Sequence, residues 1–304
     1  MTISIIIPIY NNAESLEELF QRIIKVSNNE LFVNCNFEII CVNDGSDDES
    51  YKILKEIAKS QTGLDIVIVQ LTRNFGSYNA FLAGMNYANG KCNIHLHADL
   101  QDPPEEILNL FPHFKKGYKL VIANRNKRED SSVFSSLYHY LIKKFGVSNI
   151  PKGGFDLILF DEKIRKEILN ISEKNTNNVY LISWLGYDYV NVPYTRVKRR
   201  HGNSQWTFRK KIKLFVDTLF SFTDLPLIAI RLIFYLSALL FAYSLFSVFY
   251  YDRKLIDSNL FLFSALFFLL NISMVIIAEY LNRIHETVRR RPNFVIEKVE
   301  NHNN

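Results

Sequence analysis

The sequence predicts an α/β domain with a mostly parallel sheet and helices on both faces, followed by a C-terminal hairpin of two transmembrane helices. Short β-branched runs alternate with helical segments over roughly the first 200 residues, which is the pattern of right-handed βαβ units. Two uncharged apolar runs follow, 232–251 and 260–278. Each is close to the length of about 20 residues that a helix needs to span a bilayer.

The first half of the chain predicts five strands with four helices between them. The strands are 3–9, 37–43, 64–71, 91–98 and 119–123, and the helices are 13–26, 48–60, 75–88 and 103–116. In such sheets ligands bind outside the carboxyl ends of the strands. Because polar residues follow strands one to four at those ends, this edge is the predicted site.

The pattern is less regular after residue 130. We expect helices at 131–145, 163–171 and 179–185, and strands at 155–160 and 187–192. The α/β domain is therefore expected to occupy residues 1–206.

The remaining chain predicts three membrane-related segments. Residues 207–224 have apolar side chains at helical spacing and a basic opposite face, which is typical of an amphipathic helix at a membrane interface; an ordinary core-packing helix is the alternative. The region 225–282 contains the two predicted spans, at about 228–251 and 259–281, and a buried hairpin of a soluble domain is the alternative here. Residues 283–304 are expected to form a basic tail.

Charge predicts the orientation of these spans. The chain has a net charge of +5, and its basic clusters flank the apolar region, as they do on the cytoplasmic side of membrane proteins. We therefore expect a multi-pass protein of the cytoplasmic (inner) membrane with its α/β domain and both termini in the cytoplasm. This placement makes a nucleic-acid partner the less favoured interpretation.

Several common site types find no support in the sequence. It contains no G-x-G-x-x-G after the first strand, no phosphate-binding G-x-x-x-x-G-K-[ST], no H-E-x-x-H and no G-x-S-x-G. Dinucleotide dehydrogenases, P-loop NTPases, zincins and α/β-hydrolases therefore lose their usual signatures. The three cysteines show neither metal-ligand nor disulfide spacing, and no basic region precedes the first strand to indicate a cleaved signal peptide.

An acidic cluster after the fourth strand predicts a cation site. Asp99 and Gln101 have the spacing that places two side chains on one face, and one or two carboxylates together with phosphate oxygens suit a hard divalent cation. Such an ion would neutralise a diphosphate leaving group. Asp102 stands before Pro103 and three residues before Glu105, which favours a helix N-cap and capping box.

Two residues at the preceding strand ends predict contacts to a nucleoside. Asp44 ends the second strand, where a carboxylate suits a ribose hydroxyl or a base edge. Tyr10 ends the first strand and has a ring that stacks on a base. Asp47 or Asp48 is expected to cap the next helix.

Taken in order, these motifs resemble family 2 glycosyltransferases of the GT-A fold, and most of all the branch that transfers sugars to polyprenyl phosphates, which includes dolichol-phosphate mannose synthases and bactoprenol glucosyltransferases. The resemblance covers about residues 3–210 and rests on the following segments: 7–11 (IPIYN), 42–46 (VNDGS), 73–76 (RNFG), 98–105 (ADLQDPPE), Asn124, Arg125 and Arg128, and the run from Arg199 through Gly202 and Ser204 to Trp206.

The resemblance implies a role for each matching position. Pro8, Tyr10 and Asp44 would hold the nucleoside of a nucleotide-sugar donor, and Asp99 and Gln101 would hold Mg²⁺ or Mn²⁺ with the diphosphate. Three arginines would meet the acceptor phosphate or the diphosphate; they are Arg125, Arg128 and Arg199. Each of them has an alternative as an ordinary surface charge.

Four departures from the family pattern bear on the site. His97 stands where the family often has Asp, either as a ligand or as a histidine satisfied within the strand. Asn12 replaces a common Glu, and Gln205 replaces a usual Lys. In the segment 153–156 the acid is shifted to Asp156, which could act as a base or bind a sugar hydroxyl, and the usual Arg is missing.

The resemblance implies an inverting transferase that moves a sugar from a nucleotide diphosphate sugar, expected to be a uridine donor of glucose or an N-acetylhexosamine, to undecaprenyl or another polyprenyl phosphate at the cytoplasmic membrane face. The product would serve cell-envelope glycan modification. Two alternatives stay open, a processive polysaccharide synthase and a non-catalytic membrane scaffold with a decayed nucleotide site. A homo-oligomer is compatible with the sequence.

Overall fold

The computed structural model describes residues 1–61, 63–125, 140, 144, 155–171, 178–197, 208–250, 256–289 and 291–302. Within them lies one eight-stranded sheet with the strand order β7-β5-β6-β4-β1-β2-β3-β8. The strands are β1 (Thr2–Ile9), β2 (Asn36–Asn43), β3 (Asp65–Leu71), β4 (Cys92–His95), β5 (Leu120–Arg125), β6 (Phe155–Asp161), β7 (Tyr189–Tyr194) and β8 (Ile296–His302).

Nine helices are described around and beyond this sheet. They are α1 (Ala13–Ser27), α2 (Ser50–Ser60), α3 (Ser77–Met85), α4 (Ile107–Lys115), α5 (Glu162–Asn170), α6 (Asn178–Trp184), α7 (Phe208–Phe222), α8 (Leu225–Tyr250) and α9 (Ile256–Val288), with short 3₁₀ turns at Glu30–Phe32 and Pro104–Glu106. The helix predicted at 131–145 lies outside the described residues, apart from positions 140 and 144.

The centre of the sheet is parallel, as the sequence predicted. Strands β3, β2, β1 and β4 run the same way, with Ile5 opposite both Ile39 and Ile94. The antiparallel members are β6, between β4 and β5, and β8, against β3. Because the parallel strands share one direction, their carboxyl ends meet at one edge.

Alternation along β1 shows why this sheet needs helices on both faces. Ile3, Ile5, Ile7 and Ile9 pack into one buried cluster and Ile6 into the other. Helices α1, α2 and α4 supply the first cluster, and α3, α5 and α6 the second. A strand that is apolar on both faces is buried only in such a three-layer arrangement, so the predicted α/β class is confirmed.

The two apolar helices differ from core helices in their exposure. Windows at Leu225–Tyr243 and Ala265–His285 have mean hydropathies of 2.2 and 1.7, yet only 6% and 0% of them are buried in the protein. A core hairpin of a soluble domain would be mostly buried, so this alternative loses its support. Both helices are long and apolar enough to cross a membrane.

Helix α7 bridges the sheet and the apolar hairpin. Phe222 and Leu219 pack into the second core cluster, while the Phe220 ring lies 4.9 Å from the Tyr280 ring of α9. The segment 207–224, expected as an amphipathic helix at the interface, therefore also has a core-packing face.

The end of the chain differs from the expected basic tail. Helix α9 continues to Val288, and Ile296–His302 forms the edge strand β8, antiparallel to β3. Ile296 and Val299 pack against the second core cluster, and Tyr51 donates a 2.8 Å hydrogen bond to Glu300. Apolar side chains separated by charged ones suit an edge strand with one buried face, so the chain returns to the sheet after the hairpin.

Candidate active site

The loops after β1 and β2 are fastened to each other by side-chain hydrogen bonds. The backbone N–H of Asn11 donates to the Ser46 hydroxyl at 3.0 Å, and that of Asn12 donates to the Ser50 hydroxyl at 2.9 Å. Asn11 has a φ of 53°, a left-handed conformation that asparagine tolerates better than most residues. These contacts fix the short loop that carries the half-buried Tyr10.

The three residues predicted to hold a nucleoside are brought together at these strand ends. Pro8 pairs with Val42 in the register of β1 and β2, and the backbone N–H of Asp44 donates to the Ile9 carbonyl at 2.8 Å. Tyr10 follows directly. The three positions are thus neighbours in the structure, and their contact with a nucleoside stays a prediction.

The carboxylate of Asp44 holds the loop after β3. It is 1% exposed and accepts from the backbone N–H groups of Phe75 at 2.7 Å and Gly76 at 2.9 Å. The guanidinium of Arg73 lies 4.2 Å from the Phe75 ring centroid, a cation–π distance. Asp44 therefore shapes the 73–76 loop, a role that the sequence did not indicate.

Gly45 allows that loop to approach so closely. Its φ is +63°, and a Cβ at this position would meet the carbonyl carbon of Arg73 at 2.5 Å. Any larger residue would displace the loop that Asp44 binds.

Asp99 and Gln101 share one tight turn after β4. The Gln101 N–H donates to the Asp99 carboxylate at 3.2 Å, and both side chains are half-buried. Leu100 between them has a φ of 57°, which is uncommon for a leucine. The side chain of Leu100 is buried and anchors the turn, and the side chains of Asp99 and Gln101 lie on either side of it.

Asp102 is a buried hub and not a helix cap. Its side chain is fully buried and contacts His97 Nδ1 at 3.1 Å, the Tyr194 hydroxyl at 2.5 Å and Arg196 Nε at 3.3 Å. The predicted cap is therefore wrong: the 3₁₀ turn after Pro103 has no side-chain cap. Burial raises the pKa of Asp102, but the contacts to His97 and Arg196 outweigh it and hold that pKa well below its usual value.

The predicted capping box fails as well, because Glu105 has another partner. Its carboxylate accepts from Arg22 Nε at 2.9 Å and from Nη2 at 2.5 Å, which is a bidentate pair between α1 and the 3₁₀ turn. The cap predicted at Asp47 or Asp48 is also wrong, because Glu49 is the N-cap of α2 and makes no side-chain cap hydrogen bond. Asp48 accepts from the Ser50 N–H at 3.0 Å from one position before the cap.

His97 is oriented from two sides. Asp102 holds Nδ1, and the ring of His95 lies 4.6 Å away, edge to face. His95 itself packs 4.1 Å from Phe81, and burial lowers its pKa well below the usual value. The side chain of His97 is 29% exposed, so this histidine is held by a carboxylate and still reaches the surface of the site.

Tyr194 and Arg196 are site residues that the sequence analysis missed. They follow one another at strand spacing at the end of β7, and Val197 donates from its N–H to the Gln101 carbonyl at 3.0 Å. The end of β7 is therefore bound to the 97–102 turn. Alternating polar residues after the last strand were the available signal.

The other predicted site residues are only partly described. Arg125 ends β5 and Asp156 lies near the beginning of β6, the strand that runs antiparallel to β4 and β5, so both backbones belong to the same edge as Asp99. Their side chains are not described, and Arg128 and Arg199 lie outside the described residues.

The donor set fits a divalent cation that is only partly held by protein. Within the described residues no group of three or more His, Cys, Asp or Glu side chains is arranged to hold a metal ion. Asp99 and Gln101 offer one carboxylate and one amide oxygen, which matches the way Mg²⁺ uses one or two carboxylates plus substrate phosphates. A cavity of about 460 Å³ lies at the ends of β2 and β3, where Asn43, Gln70 and Lys298 contribute to its wall; its lining does not include Asp99 or Gln101.

Comparison with known proteins agrees with this geometry. The family model described as Glycosyl transferase family 2 matches residues 4–152. The uncharacterized glycosyltransferase YkcC of Bacillus subtilis is 32% identical over 97% of this chain and 93% of its own length. The undecaprenyl-phosphate 4-deoxy-4-formamido-L-arabinose transferase of Edwardsiella ictaluri is 32% identical over 98% of this chain and 94% of its own length.

A solved structure extends the likeness to the fold. The mannosyltransferase PcManGT from Pyrobaculum calidifontis, in complex with GDP-Man and Mn²⁺, superposes with a TM-score of 0.50. The match covers 92% of this chain and 75% of that one at 15% identity, so the shared feature is the fold.

Proposed function

The chain belongs to glycosyl transferase family 2, and from this premise we propose that it transfers a sugar from a nucleotide diphosphate sugar to a polyprenyl phosphate, with undecaprenyl phosphate as the favoured acceptor. One observation carries the proposal. The similarity to transferases named for undecaprenyl phosphate runs over 98% of the chain, and so includes both apolar helices as well as the α/β domain.

The path of the chain supports a membrane hairpin with both ends on one side. Strand β8 follows α9 and pairs with β3, so the segment after the second apolar helix rejoins the domain that precedes the first. A chain that crosses a bilayer twice returns to the side it left. The flanking basic clusters favour the cytoplasmic side, where the phosphate of a lipid acceptor would lie at the level of the headgroups.

The donor would bind along the carboxyl edge of the sheet. Pro8, Tyr10 and Asp44 would surround the nucleoside, with the 73–76 loop that Asp44 fixes. Asp99 and Gln101 would hold Mg²⁺ or Mn²⁺ against the diphosphate, and a bound cation supplies Lewis-acid stabilisation of the leaving charge. The arginines would bind phosphate oxygens, for which their fork geometry is suited; they are Arg125, Arg128 and Arg199.

The reaction needs little acid–base assistance from the protein. A phosphate monoester has a second pKa near about 6, so the acceptor is largely dianionic at neutral pH. Its oxygen attacks the anomeric carbon as the bond to the nucleoside diphosphate breaks, and one in-line displacement inverts that centre. Positioning and charge stabilisation provide the rate enhancement, and Asp156 would contact a sugar hydroxyl or assist as a base.

The donor is proposed to be a uridine diphosphate sugar carrying glucose or an N-acetylhexosamine. The direct test offers purified full-length protein a panel of nucleotide sugars together with undecaprenyl phosphate, with reactions lacking the acceptor as the control, and measures the lipid by mass spectrometry. We expect one donor to give a lipid carrying a single sugar on its phosphate. A long polymer would instead establish a synthase, and donor binding without any lipid product would establish a scaffold.

A further inference from the structure

Helices α7 and α9 are joined by an ion pair at the end of the second apolar span. Arg283 Nη2 of α9 lies 2.8 Å from Asp217 Oδ1 of α7, and the two side chains are only 16% and 19% exposed. The same guanidinium contacts Glu279, one turn earlier on α9, at 3.1 Å. Arg283 therefore has one carboxylate partner across the helix interface and one within its own helix.

Aromatic contacts surround this pair. The Arg283 guanidinium lies 4.8 Å from the Phe220 ring centroid, and Phe220 packs against Tyr280 at 4.9 Å. We call these four residues, Asp217, Phe220, Tyr280 and Arg283, the helix clasp. They occupy about one turn of each helix, so the contact is compact.

The clasp connects the membrane hairpin to the catalytic domain because α7 also packs on the sheet. Leu219 and Phe222, next to the clasp residues, belong to the second core cluster. A second attachment follows α9, where Thr72 donates from its N–H to the Val295 carbonyl at 3.0 Å and β8 begins. The last turns of α9 are thus held to the domain through α7 on one side and through β8 on the other.

Because α9 is attached on both sides of its end, the angle between the hairpin and the catalytic domain is fixed as well as the distance between them. A single attachment would let the domain rotate about it. The ion pair is the directional part of the clasp, and its low exposure strengthens the attraction relative to a surface pair. Removing Asp217 would take away this contact between the two helices and keep the contact to Glu279 within α9.

We propose that Arg283 is a positioning residue, whose pair with Asp217 sets the height and tilt of the catalytic domain on the membrane hairpin and so the approach of a membrane-held acceptor to the active site. This inference rests on the proposed lipid acceptor. Neither residue is among the predicted donor, cation or acceptor residues. Their effect is on where the carboxyl edge of the sheet meets the lipid phosphate.

The experiment uses full-length protein in phosphatidylethanolamine–phosphatidylglycerol vesicles that contain undecaprenyl phosphate. D217N, R283Q and the double variant are compared with E279Q, the matched control that removes the partner of Arg283 within α9 only. We expect KM for undecaprenyl phosphate to rise about tenfold in D217N and R283Q, with KM for the donor unchanged. The double variant should be no worse than either single one, and D217E should recover part of the loss.

A second acceptor separates position from folding. With a short, water-soluble prenyl phosphate, which needs no fixed height above the bilayer, the variants should match the wild type. Three outcomes would overturn the positioning role of Arg283 and leave the proposed function intact. They are equal losses of activity on both acceptors, equal effects of E279Q and D217N, and variants that are as active as an active wild type. A wild type inactive on both prenyl phosphates would overturn the proposed function, and the clasp with it.

Discussion

The imidazole of His97 and the carboxylate of Asp102 form a hydrogen-bonded pair, 3.1 Å apart, at the carboxyl edge of the sheet. Because Asp102 also binds Tyr194 and Arg196, one buried carboxylate joins the turn after β4 to the end of β7. The pair therefore helps to fix the turn that carries Asp99 and Gln101 against the end of β7.

Removing this carboxylate should destabilise the fold. Asp102→Ala leaves three polar partners without their shared acceptor, and breaking a buried charge pair costs about 3–5 kcal/mol. We expect thermal unfolding at a clearly lower temperature, while Glu106→Ala, which removes a local 2.8 Å hydrogen bond from Asn109 in the same segment, should change it little. Equal stability of the two variants would show that the contacts of Asp102 do not stabilise the fold.

Asp99→Asn should abolish sugar transfer without unfolding the protein. Asp99 is half-buried and accepts a hydrogen bond from the Gln101 N–H within its own turn, and an amide oxygen can accept the same bond. The cation would lose its charged ligand. A radiolabelled lipid-transfer assay measures the loss of activity, and a thermal unfolding curve checks that the variant is folded. Near-normal turnover would refute the cation assignment.

His97→Asp should change which cation supports the reaction. Imidazole is a ligand for transition metals, whereas carboxylate oxygens suit both Mg²⁺ and Mn²⁺, so that replacing imidazole by carboxylate favours Mg²⁺ the more. We therefore expect the variant to gain activity with Mg²⁺ relative to Mn²⁺, and to bind Mn²⁺ differently when the free ion is followed by electron paramagnetic resonance. His113→Asp, on α4, serves as the control. An unchanged metal preference would show that His97 only packs beside the site.

Gly45→Ala should weaken donor binding more than it weakens the fold. The new methyl group would push the Arg73–Asn74 backbone away from Asp44. Gly117→Ala is the matched control, because its φ is also positive (+99°) but nothing lies within 4 Å. Both variants carry the backbone strain of about 1 kcal/mol, and only Gly45→Ala should raise the dissociation constant for the nucleotide sugar in calorimetry.

Glu300 should contribute stability that depends on pH. Hydrogen bonds from Lys298 and then Tyr51 lower its pKa to about 2, below the ordinary value of about 4.3. The contribution is therefore complete above the ordinary pKa and is lost as the pH falls toward 2. We expect Glu300→Gln to unfold at a lower temperature than the wild type at pH 7, with the difference shrinking at pH 3. A constant difference would contradict this linkage.

The sequence predicted the site edge well because topology does most of the placement. Once β1, β2 and β4 are parallel, Tyr10, Asp44 and Asp99 must lie at neighbouring strand ends. The alternation of apolar and polar residues is a local property of the sequence. It therefore predicts the strands, and with them the positions of their ends, without information about contacts between distant residues.

The roles of individual side chains were less predictable. Asp102, followed by proline and an acid, has the local signature of a helix cap, but its partners Tyr194 and Arg196 are more than 90 residues away in the chain. The strand β8 was not predicted for a similar reason, since its partner strand β3 is also distant in the chain. Its alternation is short and follows a run of arginines, and only the open edge of β3 gives it a place.

The position of β8 fixes the order in which the protein can be completed. The edge of β3 stays open until residues 296–302 have been synthesised, which is after both apolar helices have been translated. An open edge strand is a site of unwanted pairing, and a domain normally folds as a unit during synthesis. The catalytic sheet is therefore completed only after the whole hairpin has been made, so that folding of the domain depends on synthesis of both apolar helices.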